Sequence, residues 1–363
     1  MVSSKLKEYI SKPKCIGEFS SDKYGNILQN KTENKCYLYE KFTDQDMMCL
    51  NLKSSQIEFE DKTKEMEANL RRSILKKLII PGFTLKKSLY EAEFYCSSGI
   101  LTKFATSHLQ HKTINVACIK IDGVIVMVDT KEPERKQTLV DNLQFTSSDS
   151  SSNDESEKVD PVVKDFRCEN TLKYVAFLKK NSTTGKPIYK EGVKAWKQYR
   201  RAYVTKIIDP DNEGEPLKIA YNSIIHCVDE ETDKPVMVKT RPSYIKDDDF
   251  IWRSNNASKM YMESILLNCD KIAVGERDKN SIVHRTKIGS PSEILLKSSL
   301  DEQTLCKNLY YVLNKIKNAF EMYENDCVKY VNVMKWCVAD KYHIKCYGEI
   351  PKDELCIKVF DDF

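Results

Sequence analysis

The sequence contains no long apolar stretch. No window in its 363 residues approaches the roughly 18 consecutive apolar residues of a membrane span. The amino end, Met1-Val2-Ser3-Ser4-Lys5-Leu6-Lys7-Glu8, also lacks the apolar core of a secretory signal. We therefore expect a soluble, intracellular protein that makes no contact with a membrane.

The cysteines lack the spacing of a metal or redox site. There are 13 of them and none lies in a CxxC pair, which excludes a zinc ribbon and a thioredoxin-type motif. The odd count also disfavours a secreted disulfide framework, so a reducing compartment is the simpler interpretation. His108 and His111 near Cys118 give too few ligands at a known spacing to predict a metal site or a Cys–His nucleophile.

The sequence has neither a strong charge bias nor a glycine-rich phosphate loop. The 58 Lys and Arg residues nearly balance 54 Asp and Glu, and a net charge of +4 is too small for a protein that coats nucleic acid with its whole surface. No loop of the Walker or Rossmann kind occurs. Any binding to RNA must therefore be local.

Hydrophobic residues make up 41% of the chain, which is enough to bury a sizeable core. We expect a single domain over residues 1–363 that contains an acidic, serine-rich loop at 146–160. This segment has almost no apolar side chains, so burial cannot offset the entropy that ordering it would cost.

Hydrophobic periodicity predicts alternating helices and strands. Apolar residues recur at helical spacing in 57–77, 249–267 and 300–323. Strand-like runs occupy 92–96, 100–105, 115–121, 123–129, 271–275, 328–338 and 343–347. Asp122-Gly123 joins two of these strands and is a strong hairpin signal. The pattern predicts an α+β protein.

A further pair of strands carries the most informative residues. Alternation along 223–227 places Ile224 and His226 on one face, and alternation along 236–240 places Met237 and Lys239 on one face of the partner strand. The polar link at 228–235 suits an exposed connection between them. This arrangement has the shape of a metal-site hairpin without carboxylates.

The hairpin resembles the DXO family of decapping exoribonucleases, which carry a Gly-Glu-x-Asp-Cys strand followed by a strand with Glu-x-Lys-Thr. Cys227, Lys239 and Thr240 match these motifs. Further similarity lies in Ser98-Gly99-Ile100-Leu101-Thr102-Lys103, where Ser98 replaces the family's Arg, and in the blocks 121–126, 259–267, 271–278 and 282–284. The resemblance covers roughly residues 80 to 350 and implies a DXO-like fold of mixed, largely antiparallel β-sheets flanked by helices.

The resemblance also implies that carboxylates are missing. Ile224, His226 and Met237 stand where the family has Glu, Asp and Glu, and Val175 stands at a fourth such position in a weaker match. Mg²⁺ requires hard oxygen ligands, which these side chains do not offer. We therefore expect a protein that is not an enzyme and binds no metal or cofactor, with His226 as a hydrogen-bonded core histidine and Lys239 as a point charge without an anionic partner.

The alternative is an active, Mg²⁺-dependent decapping and 5′–3′ exoribonuclease with relocated ligands. Asp229, Glu230, Glu231 and Asp233 lie closest in sequence to the substituted positions. They fall in the turn, however, where water competes and preorganisation is poor.

RNA-binding candidates come from a run that interleaves cations with aromatic residues between 189 and 206. Such a mixture suits phosphate contact combined with base stacking, although it also suits a strand whose aromatic residues face the core. The candidates are Lys103, Lys194, Trp196, Lys197, Arg200, Arg201 and Lys239.

For the cellular role, the resemblance implies a nuclear protein. It would bind RNA 5′ ends or a heterochromatin-bound protein complex of the Rhino–Deadlock type, and it would protect piRNA-precursor transcripts from processing, splicing and termination. A scaffold without RNA contact remains a third possibility.

Overall fold

The computed structural model describes most of the chain. The described residues are 6–38, 50–53, 58–109, 113–130, 178–179, 193–211, 213–244, 256–298, 300–322, 327–336 and 341–351. The expected loop at 146–160 and Val175 lie outside them. The expectation of one domain over residues 1–363 stays a prediction.

The helices in the described part are mostly short, apart from two that span four or more turns. They are α1 (Leu6–Tyr9), α2 (Thr63–Leu78), α3 (Leu85–Ser88), α4 (Ser98–Thr106), α5 (Ser258–Leu267), α6 (Pro291–Ser298) and α7 (Glu302–Glu321). None of these helices combines the length and the apolar composition needed to cross a membrane.

The larger sheet has eight strands in the order β1-β10-β11-β5-β7-β6-β16-β17. Strand β5 lies parallel to both β11 and β7, and the other neighbouring pairs are antiparallel. The bounds are β1 (Lys14–Ser20), β5 (Phe94–Ser97), β6 (Ile114–Ile121), β7 (Val124–Asp129), β10 (Tyr199–Ile207), β11 (Leu217–Ile225), β16 (Tyr330–Lys335) and β17 (His343–Tyr347).

The smaller sheet has seven strands in the order β3-β15-β14-β13-β12-β2-β8, and β4 and β9 form a separate pair. Strand β13 runs parallel to β14, whereas β12–β13 and β14–β15 are antiparallel. The bounds are β2 (Tyr37–Leu38), β3 (Leu50–Asn51), β4 (Phe59–Glu60), β8 (Leu178–Lys179), β9 (Val193–Lys194), β12 (Cys227–Val228), β13 (Pro235–Pro242), β14 (Lys271–Arg277) and β15 (Ile282–Gly289). The prediction of mixed, largely antiparallel sheets flanked by helices is confirmed.

Local sequence signals explain several elements. The turn between β6 and β7 has positive φ at both Asp122 (45°) and Gly123 (77°), the backbone that a two-residue hairpin requires. Helix α7 begins at Asp301, whose carboxylate accepts hydrogen bonds from the Gln303 and Thr304 backbone N–H groups. Asn268 ends α5 in the left-handed conformation (φ 51°).

The strand predicted at 100–105 is wrong, because these residues form helix α4. Ile100, Leu101, Phe104 and Ala105 are all fully buried, and their spacing of one, four and five positions covers one side of a helix. A short apolar run cannot be assigned to helix or strand by periodicity alone. Here packing of α4 against α5 and α7 decides the outcome.

Three hydrophobic clusters hold the layers together. One joins the larger sheet to α4, α5 and α7 and includes Met237 and Ile272 of the smaller sheet. A second lies where α2 covers the larger sheet, and a third includes Val236 and Val238 of the smaller sheet. Successive residues of β13 therefore face different clusters, as expected from the pleat of a strand. This alternation determines which β13 side chains can reach a functional site.

Candidate functional site

The predicted hairpin is divided between the two sheets. Strand β11 ends at Ile225 in the larger sheet, and β12 begins at Cys227 in the smaller one, where it pairs with β13 at Cys227–Val236 and Val228–Pro235. The chain crosses from one sheet to the other at His226. Ile224 and Met237 therefore lie in different sheets, next to Arg200 and Ile272 respectively.

The His226 side chain links the connection between β11 and β12 to strand β13. Its Nδ1 accepts a hydrogen bond of 2.9 Å from the backbone N–H of Val238, so this nitrogen presents its lone pair to the backbone. The bond satisfies a strand N–H near the point where the sheets meet. The contact supports the interpretation of His226 as a hydrogen-bonded structural histidine.

Met237 is part of the core. Its side chain is 1% exposed, within the cluster that also contains Ile272 and Val228. Ile224 is half-buried. These two positions contribute packing rather than ligands in the described structure.

Lys239 has a carboxylate partner on the neighbouring helix. Its Nζ lies 3.1 Å from Oε2 of Glu263 in α5, and the two side chains are only 17% and 29% exposed. The expectation that Lys239 has no anionic partner is therefore wrong. Glu263 could not be assigned this role from the sequence, because it stands 24 positions from Lys239 and approaches it only in the folded structure. The available signal was an acid in a mostly apolar helix.

A cavity of about 330 Å³ opens next to this pair. We call it the β13–β15 cavity, and it is lined by Arg241, Met260, Ile272, Val274, Glu276, Lys287, Ile288, Gly289, Ser290, Glu293 and Ile294. Lys239 is the direct β13 neighbour of Val274 in the cavity wall, and Arg241 follows Lys239 by two residues on the same face. Glu263 is one helical turn from Met260. The ion pair thus lies beside the cavity, next to lining residues, although neither Lys239 nor Glu263 lines the cavity itself.

The described residues do not fit a magnesium site here. In the part of the chain that the structure describes, Lys239 Nζ pairs with the Glu263 carboxylate, and His226 Nδ1 accepts a hydrogen bond from the Val238 N–H. No group of three or more metal-ligating side chains occurs among the described residues. Near-octahedral Mg²⁺ coordination needs more oxygen donors than this set supplies.

Two acids of the turn at 229–233, Asp229 and Asp233, form ion pairs within the protein. The two oxygens of Asp229 accept hydrogen bonds from Thr232 and from Lys271 Nζ, the latter at 2.6 Å, and the Lys271 contact lowers the pKa of Asp229 to about 2. Asp233 pairs with Lys35 at 2.6 Å and with Arg201 at 2.5 Å. The described geometry therefore does not present Asp229 and Asp233 as relocated metal ligands.

The block around α4 presents one accessible cation. Lys103 forms a 2.7 Å ion pair with Asp129, and its side chain is 45% exposed. Ser98, at the position of the family's Arg, donates a 2.7 Å hydrogen bond to the Ser223 hydroxyl of β11. Its role in the described structure is thus to tie α4 to the larger sheet.

Three of the RNA-binding candidates cluster at the start of the basic and aromatic run. The ammonium groups of Lys194 and Lys197 lie 5.9 and 5.8 Å from the ring centre of Trp196. The Trp196 ring packs against the hydrophobic cluster on the α2 side of the larger sheet. The fold therefore does not place Trp196 in the smaller sheet with Lys239, and an RNA contact by these three residues stays a prediction.

Arg200 and Arg201 lie inside the molecule instead of on its surface. Arg200 is 7% exposed and donates to Gln198 and Asn222, and burial lowers its pKa to about 10. Arg201 pairs with Glu18 at 3.0 Å and with both the side chain and the carbonyl of Asp233. Since both guanidinium groups already have partners within the protein, we assign them no RNA contact.

Comparisons with known proteins are consistent with this architecture. The model of the RAI1-like PD-(D/E)XK nuclease family matches residues 11–344. No curated protein matches the chain.

Solved structures show the same fold at low sequence identity. Candida albicans Rai1 in complex with pU5-Mn²⁺ superposes with a TM-score of 0.69 and 15% identity over 93% of this chain and 89% of that one. Scheffersomyces stipitis Rai1 in complex with (3′-NADP)⁺ and calcium ion gives 0.67 and 16% over 93% and 90%. Schizosaccharomyces pombe Rai1 gives 0.62 and 14% over 93% and 94%.

The family match overturns the expectation that the protein is not an enzyme, because the matched family consists of nucleases. The expectation rested on four positions, of which Val175 lies outside the described residues. Substitution at a few motif positions does not exclude acids from other elements. Glu263 is one such acid, and the sequence carries more, for example Asp247-Asp248-Asp249, outside the described part.

Proposed function

Because the chain belongs to the RAI1-like PD-(D/E)XK nuclease family, we propose that it binds the 5′ end of RNA, with Lys239 holding the terminal phosphate. The observation that carries this proposal is the partly buried Lys239–Glu263 pair, with Lys239 next to Val274 in the lining of the β13–β15 cavity. A cation that is largely shielded from water attracts an anion more strongly than one at the open surface.

Glu263 would orient the ammonium group before RNA arrives. A lysine side chain loses considerable rotamer freedom when it is fixed, and a partner 3.1 Å away fixes it in advance. A phosphate that enters has to share the ammonium donors with Glu263, since Lys carries three of them. Lys239 would therefore contribute affinity for the phosphate. Glu263 would fix the position of the Lys239 ammonium group, and its carboxylate would repel the phosphate to some extent.

The structural neighbours support a ligand of this class. The Candida albicans structure is a complex with pU5, and a Schizosaccharomyces pombe structure is a complex with 3′-FADP. Those ligands are properties of the neighbours. They support the proposal that a nucleotide phosphate is the anion recognised by the same fold here.

The test compares matched RNAs that differ only at the 5′ end. We expect a 5′-monophosphorylated pentaribonucleotide to bind the full-length protein about tenfold more tightly than the same sequence with a 5′-hydroxyl, as measured by fluorescence anisotropy. Equal affinities would refute recognition of the terminal phosphate.

A second candidate function is metal-dependent hydrolysis of RNA 5′ ends, and the family match favours it. The described residues do not define the ligands of a metal ion. Incubation with 5′-monophosphorylated and abnormally capped RNA in Mg²⁺ or Mn²⁺ tests this candidate. Metal-dependent release of product would establish hydrolysis, whereas phosphate-dependent binding without release would favour 5′-end binding.

At the cellular level, we propose a nuclear protein similar to the Drosophila germline protein Cutoff, which protects nascent piRNA-precursor transcripts through a heterochromatin-bound partner complex of the Rhino–Deadlock type. The resemblance of its sequence blocks supports this proposal. Purification of the protein from germline nuclei tests it: we expect chromatin-bound partners and RNA to co-purify. Recovery from the cytoplasm without either would contradict it, and partners without RNA would favour a scaffold.

A further inference from the structure

The β13–β15 cavity combines apolar walls with a charged rim. Its walls include Met260 from α5, Ile294 from α6, and Ile272 and Val274 from β14. The charged residues of the lining, which we call the rim, are Arg241, Lys287, Glu276 and Glu293. A few polar groups converging on an apolar cavity is the usual composition of a small-ligand site.

We propose that this cavity binds the guanine base of a 5′-terminal nucleotide whose phosphate lies at Lys239. This inference rests on the proposed function and specifies the RNA sequence that it prefers. Lys239 and the cavity are close enough to contact the phosphate and the base of one nucleotide. Lys239 is the neighbour of Val274 in the cavity wall, and it precedes Arg241 of the rim by two residues.

The apolar walls suit the faces of a base. A purine ring presents two flat, weakly polar faces, and apolar side chains from opposite sides of a cavity can sandwich it. The cavity is formed between a sheet and helices, with strand residues such as Val274 on one side and helix residues such as Met260 and Ile294 on the other. Burial of the base there removes apolar area from water on both faces.

The rim selects among bases by hydrogen bonding. Guanine has two acceptors, O6 and N7, that match a guanidinium, and its N1–H and N2 amino groups are donors that match a carboxylate. Adenine presents an acceptor at N1, which a carboxylate repels. The pyrimidines are smaller and fill less of the cavity. A rim with Arg241 and a carboxylate therefore favours guanine.

Glu293 is better placed than Glu276 to supply that carboxylate. Glu276 forms a 2.8 Å ion pair with Lys287, which occupies one of its oxygens. Glu293 Oε2 lies over Gly289, where a Cβ would be only 3.0 Å away. The Glu293 carboxylate therefore lies close to Gly289, another residue of the cavity lining.

The test uses four 5′-monophosphorylated pentaribonucleotides that differ only in their first base, followed by four uridines. We expect the guanosine probe to bind about tenfold more tightly than the adenosine probe, because one good bidentate contact gives discrimination of about this size. Anisotropy titrations of the full-length protein measure the four affinities under identical salt conditions, since phosphate contacts depend on salt.

Two variants connect the preference to the rim. We expect Glu293→Gln to reduce the preference for guanosine to below about threefold, because an amide presents only one acceptor. We also expect Arg241→Gln to weaken binding of the guanosine probe and so to reduce the preference for guanosine. Glu65→Gln, an exposed position in the first turn of α2, is the matched control and should leave the preference unchanged. Glu293 is also exposed, so its variant should fold, and a thermal melt checks this.

The outcomes separate the two proposals. A guanosine preference that Glu293→Gln removes and Glu65→Gln retains supports the inference. Phosphate-dependent binding with equal affinity for all four probes, or a preference that Glu293→Gln leaves intact, overturns the base site and leaves the proposed function standing. Absence of phosphate-dependent binding to every probe overturns the proposed function, and the base site with it.

Discussion

Two cationic centres of this protein have similar chemistry and different surroundings. Arg201 lies in the larger sheet within a network that joins Glu18 of β1, Tyr199 of β10 and Asp233 of the β12–β13 turn. Lys239 lies in the smaller sheet beside a cavity and has Glu263 as its carboxylate partner. The first centre connects distant parts of the chain, whereas the second adjoins open space.

The comparison shows how surroundings determine what a cation does. The Arg201 side chain is 7% exposed, and burial, which alone would lower its pKa, is outweighed by Tyr199 and Asp233, so its pKa is raised. A buried guanidinium that pairs with several protein groups contributes to the stability of the fold and is not available to bind a ligand. Lys239 pairs with Glu263 beside a cavity of ligand size, and its ammonium group carries three donors that Glu263 and a phosphate can share.

Removal of the first cation should have the largest effect on stability. We expect Arg201→Met to lower the free energy of unfolding by about 3 kcal/mol, because it leaves the Glu18 and Asp233 carboxylates without a partner they share. Urea denaturation at pH 7 measures the change. Arg285→Met, an exposed strand position, is the control and should cost less than about 0.5 kcal/mol. Equal losses of unfolding free energy in Arg201→Met and Arg285→Met would show that the Arg201 network does not add to the stability of the fold.

Removal of the second cation should instead affect binding. We expect Lys239→Met to weaken binding of a 5′-monophosphorylated RNA about tenfold and to leave a 5′-hydroxyl RNA nearly unaffected, since only the former presents a terminal phosphate. Anisotropy titrations with both probes provide the measurement. Lys206→Met, at an exposed position of β10, controls for the loss of one positive charge. A similar loss with both probes would indicate a general electrostatic effect and remove Lys239 from the proposed site.

Sequence patterns predicted the elements in which periodicity and turn chemistry agree. The β6–β7 hairpin, strand β14, helix α7 and the closing strands β16 and β17 all lie where the sequence places them. Each has either a capping residue, a turn dipeptide or an uninterrupted apolar pattern of its own. Local signals were sufficient for these elements because their boundaries are set locally.

The site was less predictable because its contacts are not local. Lys239 was identified from a motif, but its partner Glu263 comes from a helix that follows later in the chain. Arg201 looked like a surface cation among aromatic residues until its bond to Glu18, 183 positions away, placed it in the interior. Alternation also could not show that the chain changes sheets at His226. Such pairings depend on tertiary packing, which periodicity does not encode.

The turn near the Arg201 network provides a pH-dependent test. The pKa of Asp229 is lowered from 3.8 to about 2 by Lys271 and Thr232, so its carboxylate stabilises the fold above the unfolded-state pKa and loses this effect as the pH falls toward 2. We expect Asp229→Asn to cost about 1 kcal/mol at pH 7, a value that allows for solvent screening of Lys271. The difference from the unmodified protein should shrink between about pH 4 and pH 2. Urea denaturation across this range measures it, and a constant difference would rule out a charge effect.

The smallest effect on stability should come from the partner of Lys239. Glu263→Gln keeps the shape of the side chain and removes its charge, and a partly exposed ion pair contributes at most about 1 kcal/mol, so we expect a loss of about 0.5 kcal/mol.

The same variant should bind 5′-monophosphorylated RNA more tightly, by about threefold, because the phosphate no longer shares Lys239 with a carboxylate. Glu65→Gln, at an exposed position of α2 away from the cavity, serves as the control for the loss of one negative charge. A gain in affinity confined to Glu263→Gln would show that this carboxylate competes directly for Lys239. A stability loss of several kcal/mol would instead place the pair in the same structural class as the Arg201 network.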